Sequence, residues 1–252
     1  MTIQEFFRNN PIAAIAFSGG VDSAWLLHEA AAYAQKTGAY FVQTPFQPDF
    51  ELADAQETAK KINVPLTVLE FDILTVPEAA ANPPDRCYHC KRALFTRLLE
   101  AARVDGFPLV LDGCNASDDA ADRPGMRALR ELGVRSPLRE CGITKAEVRR
   151  LAKEAGLPVW NKPSYACLAT RIPAGTAITA EDLARVSRGE GALMERGFSD
   201  FRLRLRGADG LLQVREEQMS LARQLLPELQ TGLAADFRHI VLDDAPRPSR
   251  ET

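Results

Sequence analysis

The chain has 252 residues, 46% of them hydrophobic and 26% charged, with 31 Lys and Arg against 34 Asp and Glu. That length fits one large domain or one domain with a smaller partner. The net charge of −3 speaks against a dedicated nucleic-acid binder, which carries a basic domain. Five cysteines, an odd count, cannot all enter a closed disulfide framework, and no apolar run is long enough to span a membrane. Residues 1–10 mix acid and base without an apolar core, so no signal peptide is expected and the protein reads as cytoplasmic with reduced thiols.

In chain order, Ile12-Ala-Ala-Ile-Ala-Phe17 is a short continuous apolar run ended by Ser18-Gly-Gly20, the pattern of a buried parallel strand meeting a turn. A helix follows at once through Trp25, Leu26 and Leu27 to Ala34. Strands are expected over 40–43, 66–71 and 109–111, with helices over 51–62, 94–103 and 145–155, the last opened by Thr144 as N-cap. Strands alternating with helices at this spacing predict βαβ units and a parallel sheet with right-handed crossovers. Beyond about Gly175 the pattern changes. A helix over 180–195, capped by Thr179, precedes Phe201-Arg-Leu-Arg-Leu-Arg206, whose period-2 alternation marks a strand with one buried face. A turn over 207–210 leads into a hairpin strand over 211–215, then a helix over 217–229 and a strand over 237–242; residues 246–252 look frayed. The expected division is an α/β domain over 1–175 and a smaller α+β domain over 176–252.

Ser18-Gly19-Gly20-Val21-Asp22-Ser23 stands where a strand hands over to a helix. Glycines let the backbone approach an anion, and a helix N-terminus offers free N–H groups and partial positive charge. Ser18 and Ser23 add hydroxyls, and Asp22 can hold a Mg²⁺ that bridges phosphates. The segment lacks both the Gly-Lys-Ser/Thr ending of a Walker loop and the third glycine of a dinucleotide fingerprint. The hexapeptide resembles the pyrophosphatase loop (PP-loop) of the N-type ATP pyrophosphatases, also described as adenine nucleotide alpha hydrolase-like. The resemblance implies a doubly wound parallel sheet with the nucleotide at the carboxyl ends of its strands, ATP cleavage between the α and β phosphates and adenylation of a substrate oxygen.

Asn82-Pro-Pro-Asp-Arg-Cys87-Tyr-His-Cys90-Lys91 carries a Cys-x-x-Cys, a spacing that suits a metal, an iron–sulfur cluster, a redox pair or merely structural thiols. Cys167 stands in Lys162-Pro-Ser-Tyr-Ala-Cys-Leu-Ala-Thr-Arg171-Ile-Pro173, where Arg171 would lower a thiol pKa, although Ala166 and Leu168 also suit a small core cysteine. His28, His89 and His239 are too scattered for a metal site, and Trp25 and Trp160 read as core.

These segments, with Asp112-Gly-Cys-Asn-Ala-Ser-Asp-Asp119, Arg123-Pro-Gly125, Gly133-Val-Arg-Ser-Pro-Leu138 and Phe201-Arg-Leu-Arg-Leu-Arg206, together resemble one family nearly end to end. It is the ATP-dependent sacrificial sulfur transferases, LarE, of nickel-pincer cofactor biosynthesis. Cys114 stands where Thr is more usual. The resemblance implies that ATP adenylates a carboxylate of a pyridinium dicarboxylate mononucleotide and that sulfur then displaces AMP, leaving a thiocarboxylate. It maps Cys167 onto the sulfur-bearing cysteine. With Cys87 and Cys90 it matches a three-cysteine subgroup in which the thiolates hold a 4Fe-4S cluster with one iron open for sulfide.

Glu190 and Arg171 are expected at the transfer site. Arg202 and Arg204 lie on one face of their strand, and the resemblance implies that they bind the substrate phosphate, with a solvated strand face as the plain alternative. Arg135 and Asp119 are weaker candidates for the nucleotide. The implied cofactors are ATP, Mg²⁺ and the cluster; the implied partners are the mononucleotide and a sulfide donor, with no nucleic acid or membrane, in a homo-oligomer. The alternatives are sacrificial transfer of the Cys167 sulfur and a PP-loop tRNA thiolation enzyme.

Overall fold

A computed structural model describes residues 1–118 and 124–247. It divides into two compact units. The first comprises Met1–Thr44, Asp49–Ala79 and Asp85–Lys162; the second comprises Pro45–Pro48, Ala80–Pro84 and Pro163–Thr252.

The first unit opens with a helix that composition did not announce. α1 (Ile3–Asn9) is started by a capping box in which Glu5 N–H donates to Thr2 Oγ1 at 3.2 Å and Thr2 N–H to Glu5 Oε2 at 2.8 Å. The helix buries Phe6 and Phe7 completely, so the start of the chain is part of the core. β1 (Ile12–Ala16) follows, then α2 (Val21–Tyr33), β2 (Lys36–Gln43), α3 (Asp49–Ile62), β3 (Leu66–Glu70), the short α4 (Pro77–Ala80) and α5 (Arg86–Val104). β4 (Val110–Leu111), α6 (Pro124–Glu131), α7 (Pro137–Glu140) and α8 (Lys145–Glu154) complete it.

Two elements begin earlier than the sequence pattern suggested. β2 starts at Lys36 rather than 40, because Gly38 sits inside it: a Cβ there would lie 2.6 Å from Phe107 Cζ. α5 starts at Arg86 rather than 94, so that it carries Cys87 and Cys90 in its first turns.

The four strands are parallel in the order β3-β2-β1-β4. Chain order runs one way from β1 to β3 and then jumps back across β1 to β4, the hallmark of a doubly wound sheet. Alternation along β1 separates two cores. Ala13 and Ile15 face Trp25, Leu26 and Leu27 of α2 together with α1 and α8, while Ala14 faces Tyr40, Leu98 and Leu129 with α5 and α6. Burial on both faces explains why β1 reads as an unbroken apolar run.

In the second unit, a 3-10 turn (Leu168–Arg171) precedes α9 (Ala180–Glu195), β5 (Arg202–Arg206), β6 (Asp209–Gln213), α10 (Met219–Gly232) and β7 (Ile240–Leu242). β5 and β6 are antiparallel, and β7 joins β6 in parallel. The hairpin turn is tighter than expected, only Gly207-Ala208, with Gly207 at φ +60°. Arg247 bridges to Arg215, its N–H donating to Val214 O at 2.8 Å, so pairing extends into the tail that looked frayed.

The unit begins at Pro163, ahead of the boundary at 175, and recruits two outlying segments. The Asn82 side chain, buried and at φ +55°, donates to Pro173 O (2.9 Å) and Thr176 O (3.1 Å), and Ile178 N–H donates to Ala80 O (2.7 Å). Leu168 N–H donates to Phe46 O at 2.8 Å.

Gly189 on α9 shows how closely the second unit packs. An added methyl would collide with Leu203 and lie 3.0 Å from Phe237 Cε2, both of them buried. Overpacking of a closed core costs about 1–3 kcal/mol, against a helix-propensity gain of up to about 1 kcal/mol from losing a glycine. Gly189→Ala is therefore expected to lower the urea midpoint with the m-value retained; an unchanged or raised midpoint would contradict this packing.

Candidate functional site

The first group of chemistry-bearing residues gathers at the carboxyl ends of β1 and β4, where the strand order reverses and open α/β sheets bind ligands. The Ser18–Ser23 loop leaves β1 there. Gly19 takes φ +71°, and any Cβ on it would lie 3.1 Å from Ala55 Cβ. Ser23 Oγ closes the loop from inside: it donates to Gly20 O (3.1 Å), lies 3.1 Å from Ser18 Oγ and accepts Ser18 N–H at 3.3 Å. Ser18 itself is exposed, while Ser23 is buried. Gly20 is the N-cap of α2, and no side chain caps that helix, which leaves its first turn to meet an anion.

The loop after β4 lies directly against this turn. A Cβ on Gly113 would come within 2.9 Å of Ser23 N, so only glycine allows the approach. Two residues on, Asn115 Nδ2 donates to Asp22 Oδ1 at 3.0 Å. The other Asp22 oxygen is ion-paired with Lys145 Nζ, which comes from the first turn of α8. Asp22 is thus held by two donors that the sequence reading did not select for the site. Asn115 lay within a quoted motif; for Lys145 the signal was only its place after the Thr144 N-cap. Cys114 is spent locally, with its thiol 3.0 Å from Asp112 Oδ2 and its pKa pushed up to about 12 by burial and then by Asp112.

Arg135 binds Glu140 in a two-point ion pair, donates to Asn10 Oδ1 (3.1 Å) and lies over the Phe6 ring (4.5 Å), a set of contacts that ties α1 and α7 together. Asp119 and Arg123 lie outside the described residues. Trp25 is buried core, and Trp160 packs against the same core beneath Lys153.

Cys87 and Cys90 stand one turn apart on α5, the first exposed and the second buried, and neither is in a disulfide. The spacing and thiol chemistry of this pair suit a shared metal or cluster. Among the described residues, no group of three or more His, Cys, Asp or Glu gathers into a metal site.

The second group belongs to the second unit and centres on Glu190. Its carboxylate accepts from Arg171 Nε (2.7 Å) and Nη2 (2.9 Å), from the Leu203 backbone N–H (2.9 Å) and from the Tyr165 hydroxyl. Both partners of the ion pair are essentially inaccessible to solvent. Burial by itself would lower the Arg171 pKa, but the hydrogen bonds and charge of Glu190 raise it, so the guanidinium stays charged. Burial, then Glu190, pushes the Tyr165 hydroxyl up, so it stays protonated and donates.

Arg171 Nη1 also donates to Ala166 O (3.0 Å) and to Thr170 Oγ1 (2.7 Å), which fixes the backbone on either side of Cys167, itself the N-cap of the 3-10 turn. Arg204 donates to Thr170 O (2.9 Å) and Gln213 Oε1 (2.7 Å).

Arg202 departs from a solvated strand face. It is 3% exposed, and its hydrogen-bond acceptors are the Phe201 and Ser164 carbonyls, with Asp200 at 3.9 Å. Burial, then repulsion from Arg171 and Arg247, pushes its pKa down to about 10. Arg204 is lowered as well, by burial and then by Arg171. The structure therefore holds together Cys167, Arg171, Glu190, Arg202 and Arg204, adds Tyr165 to them, and concentrates cationic charge there.

No family model matches the chain. It is 37% identical to an uncharacterized Synechocystis protein over 96% of this chain and 91% of that one. It is 32% identical to the pyridinium-3,5-bisthiocarboxylic acid mononucleotide synthase of Lactiplantibacillus plantarum over 86% of this chain and 75% of the synthase. A more distant likeness, 29% over 60% of this chain, joins it to the tRNA-specific 2-thiouridylase of Acidithiobacillus ferrooxidans. Among the described residues, no helix is long and apolar enough to cross a membrane. With a nucleotide-type loop at the switch point of a doubly wound sheet, and a named synthase matched over most of both chains, the chain belongs to the LarE family of PP-loop sulfur transferases.

Proposed function

We propose that this protein is an ATP-dependent sulfur transferase that adenylates a carboxylate of a pyridinium dicarboxylate mononucleotide and converts it to a thiocarboxylate, in the biosynthesis of a nickel-pincer nucleotide cofactor. The observation that carries the reading is the Ser18–Ser23 cradle at the β1/β4 switch point, in a chain 32% identical to a synthase of that thiocarboxylate class. ATP use is common to the PP-loop relatives.

A carboxylate is a poor electrophile until one oxygen becomes a leaving group. In the first half-reaction a substrate carboxylate oxygen attacks the α-phosphorus and pyrophosphate departs. Ser18, Gly19, Gly20 and the first turn of α2, with Ser23 bracing the loop, would receive the phosphates. Asp22 would share a Mg²⁺ with them; one carboxylate plus phosphate oxygens is an ordinary Mg²⁺ set. In the second half-reaction sulfur adds to the acyl carbon and AMP leaves.

Arg202 and Arg204 would hold the substrate phosphate. The support is physical: Arg202 is a nearly inaccessible cation with carbonyl partners and repelling neighbours, and an anion would relieve it. Arg171 and Glu190 act by positioning, since their charges are spent on one another and on the backbone beside Cys167.

Cys87, Cys90 and Cys167 would hold a 4Fe-4S cluster, which when bound would supply sulfide from a donor and spare the polypeptide. The pairing of Cys87 and Cys90 on one helix turn supports this reading. The tRNA alternative is weaker: that likeness is more distant, and a net charge of −3 is a poor match for a phosphate backbone.

Anaerobic reconstitution is expected to give brown protein whose iron content falls when Cys87, Cys90 or Cys167 is replaced by Ala, and which forms thiocarboxylate with ATP over repeated turnovers. Colourless protein that turns over once and loses the mass of H₂S at Cys167 would establish the sacrificial route instead, in which the thioester to Cys167 breaks by β-elimination and leaves dehydroalanine. Absence of pyrophosphate release with the mononucleotide would overturn the function itself.

Arg202→Gln is expected to weaken binding of the mononucleotide roughly ten- to a hundredfold, the effect of losing a charged hydrogen bond, while leaving the phosphate-free nucleoside unaffected. Equal losses for both ligands would mean that Arg202 acts only on the fold.

A further inference from the structure

The polar face of the sheet in the second unit carries more arginine than the proposed function uses. β5 pairs with β6 so that Arg202 lies opposite Gln213, and the same register, continued, sets Asp200 against Arg215. Arg215 is bridged in turn to Arg247. Side chains alternate across a strand, so Asp200, Arg202 and Arg204 share one face, opposite the buried Phe201, Leu203 and Leu205. On that face three guanidiniums converge on one carboxylate. Asp200 lies 3.2 Å from Arg247 Nη2, 3.3 Å from Arg215 Nη1 and 3.9 Å from Arg202 Nη1. It reaches them from a left-handed backbone, φ +46°, which aspartate tolerates better than most residues.

A clamp that only held the tail on the sheet would need one guanidinium for one carboxylate. The convergence of three has a cost, since Arg247 is among the neighbours that push the Arg202 pKa down, after burial and Arg171. Glu217 lies 3.6 Å from Arg215 Nε, but it is 69% exposed and its charge is screened by solvent. Exposure separates the three arginines. Arg202 keeps 4% of its side-chain surface, whereas Arg247 and Arg215 keep 12% and 21%, so a solute can reach their forks. An arginine fork matches a planar carboxylate with two parallel N–H donors.

The substrate of the proposed reaction brings three anionic groups, a phosphate and two ring carboxylates. Arg202 and Arg204 account for the phosphate, and one carboxylate must sit where ATP activates it. We propose that Arg215 and Arg247, oriented by Asp200, form a subsite for the ring carboxylate that is not reacting, and so select a dicarboxylate over a monocarboxylate. The inference rests on the proposed function and deepens it. From Arg202 to Arg215 the sheet runs two residues along and one strand across, roughly 7 Å by 5 Å between attachment points. One face can therefore meet two anionic groups of a mononucleotide that are separated by its ribose. Asp200 turns both forks to one point and, as one charge against three, leaves that point cationic.

The test is equilibrium binding of two probes to the full chain, with thiocarboxylate formation followed in parallel. The probes are the pyridinium dicarboxylate mononucleotide and nicotinate mononucleotide, which lacks the second carboxylate. Wild-type protein should prefer the dicarboxylate roughly ten- to a hundredfold, the effect of a charged hydrogen-bonded pair. Arg215→Gln and Arg247→Gln should each remove most of that preference while changing the affinity for nicotinate mononucleotide by less than twofold. Asp200→Asn separates a subsite from a tail clamp, because it keeps both forks and removes the competing charge. The dicarboxylate should bind that variant at least as tightly as wild type, and this arm decides the matter if an arginine variant fails to fold.

The proposal is overturned if wild-type protein shows no preference for the dicarboxylate. It is equally overturned if the arginine variants weaken both probes in parallel, the mark of a role in the fold or at the phosphate, or if Asp200→Asn loses the preference. Any of these results with thiocarboxylate still formed by wild-type protein leaves the proposed function standing. Wild-type protein that binds neither mononucleotide would overturn that function, and this inference with it.

Discussion

The nucleotide end of the first unit depends on a single close approach. The loop after β4 passes so near the turn after β1 that a side chain at Gly113 would strike the Ser23 amide. That proximity follows from the sheet: β1 and β4 are parallel neighbours whose connections leave in opposite directions, so their carboxyl ends are not covered by a shared crossover. With the loops so close, Asn115 reaches Asp22, and α8, which packs on α2, brings Lys145 to the same carboxylate. A bulkier residue at position 113 would separate the two loops and undo each of these contacts together. The geometry of the Ser18–Ser23 loop is therefore set as much by the fourth strand as by the hexapeptide.

In the second unit one buried carboxylate has the corresponding role. Glu190 accepts four hydrogen bonds, two from Arg171, one from Tyr165 and one from the β5 backbone. It thereby joins α9, the first residues of β5 and the segment that carries Cys167. A buried ion pair of this kind contributes little net stability over apolar packing, yet removing one partner strands a charge at a cost of about 3–5 kcal/mol. Its value lies in geometry. Arg171 holds the carbonyl of Ala166 and the side chain of Thr170, and Arg204 holds the carbonyl of Thr170, so the backbone around Cys167 is fixed by charged donors. Burial first, and then the neighbouring Arg171 guanidinium, lower the pKa values of Arg202 and Arg204 beside it.

Most of the sheet was legible from local pattern, because β1, β3 and the strand–turn–helix step are written in adjacent residues. What escaped was non-local or polar. α1 is short, and its helical state depends on a capping box and on the burial of Phe6 and Phe7 against α2, neither of which shows in composition. The start of α5 was hidden because Cys-Tyr-His-Cys reads as ligand spacing and carries no helical apolar period of its own. The split of the chain escaped because Asn82 tethers a segment to residues some ninety positions further along, and such a tether leaves no periodicity. In the same way the loop hexapeptide was recognisable, whereas Asn115 and Lys145, which hold its Asp22 carboxylate, come from other elements and follow only from the topology. Arg202 was legible as a candidate, but its burial was not, since period-2 alternation of Arg and Leu equally describes a wet strand face.

The division of basic residues between the units takes on physical content from these contacts. All seven lysines lie at or before Lys162, and only arginine follows. In the second unit the guanidinium fork is used as a fork: Arg171 spans both oxygens of Glu190 while reaching two further acceptors, and Arg238 spans both oxygens of Asp209 across the hairpin end. A lysine could make neither set, because an ammonium cannot meet two carboxylate oxygens in plane while holding separate acceptors. At Asp22 the requirement is the opposite. There one carboxylate oxygen is taken by Asn115, and a single ammonium on a flexible stem needs only the other. Genomic bias can favour arginine throughout a chain, but it does not explain why the cation on Asp22 is a lysine while the one on Glu190 is an arginine; the difference between a carboxylate that offers the cation one oxygen and one that offers both does.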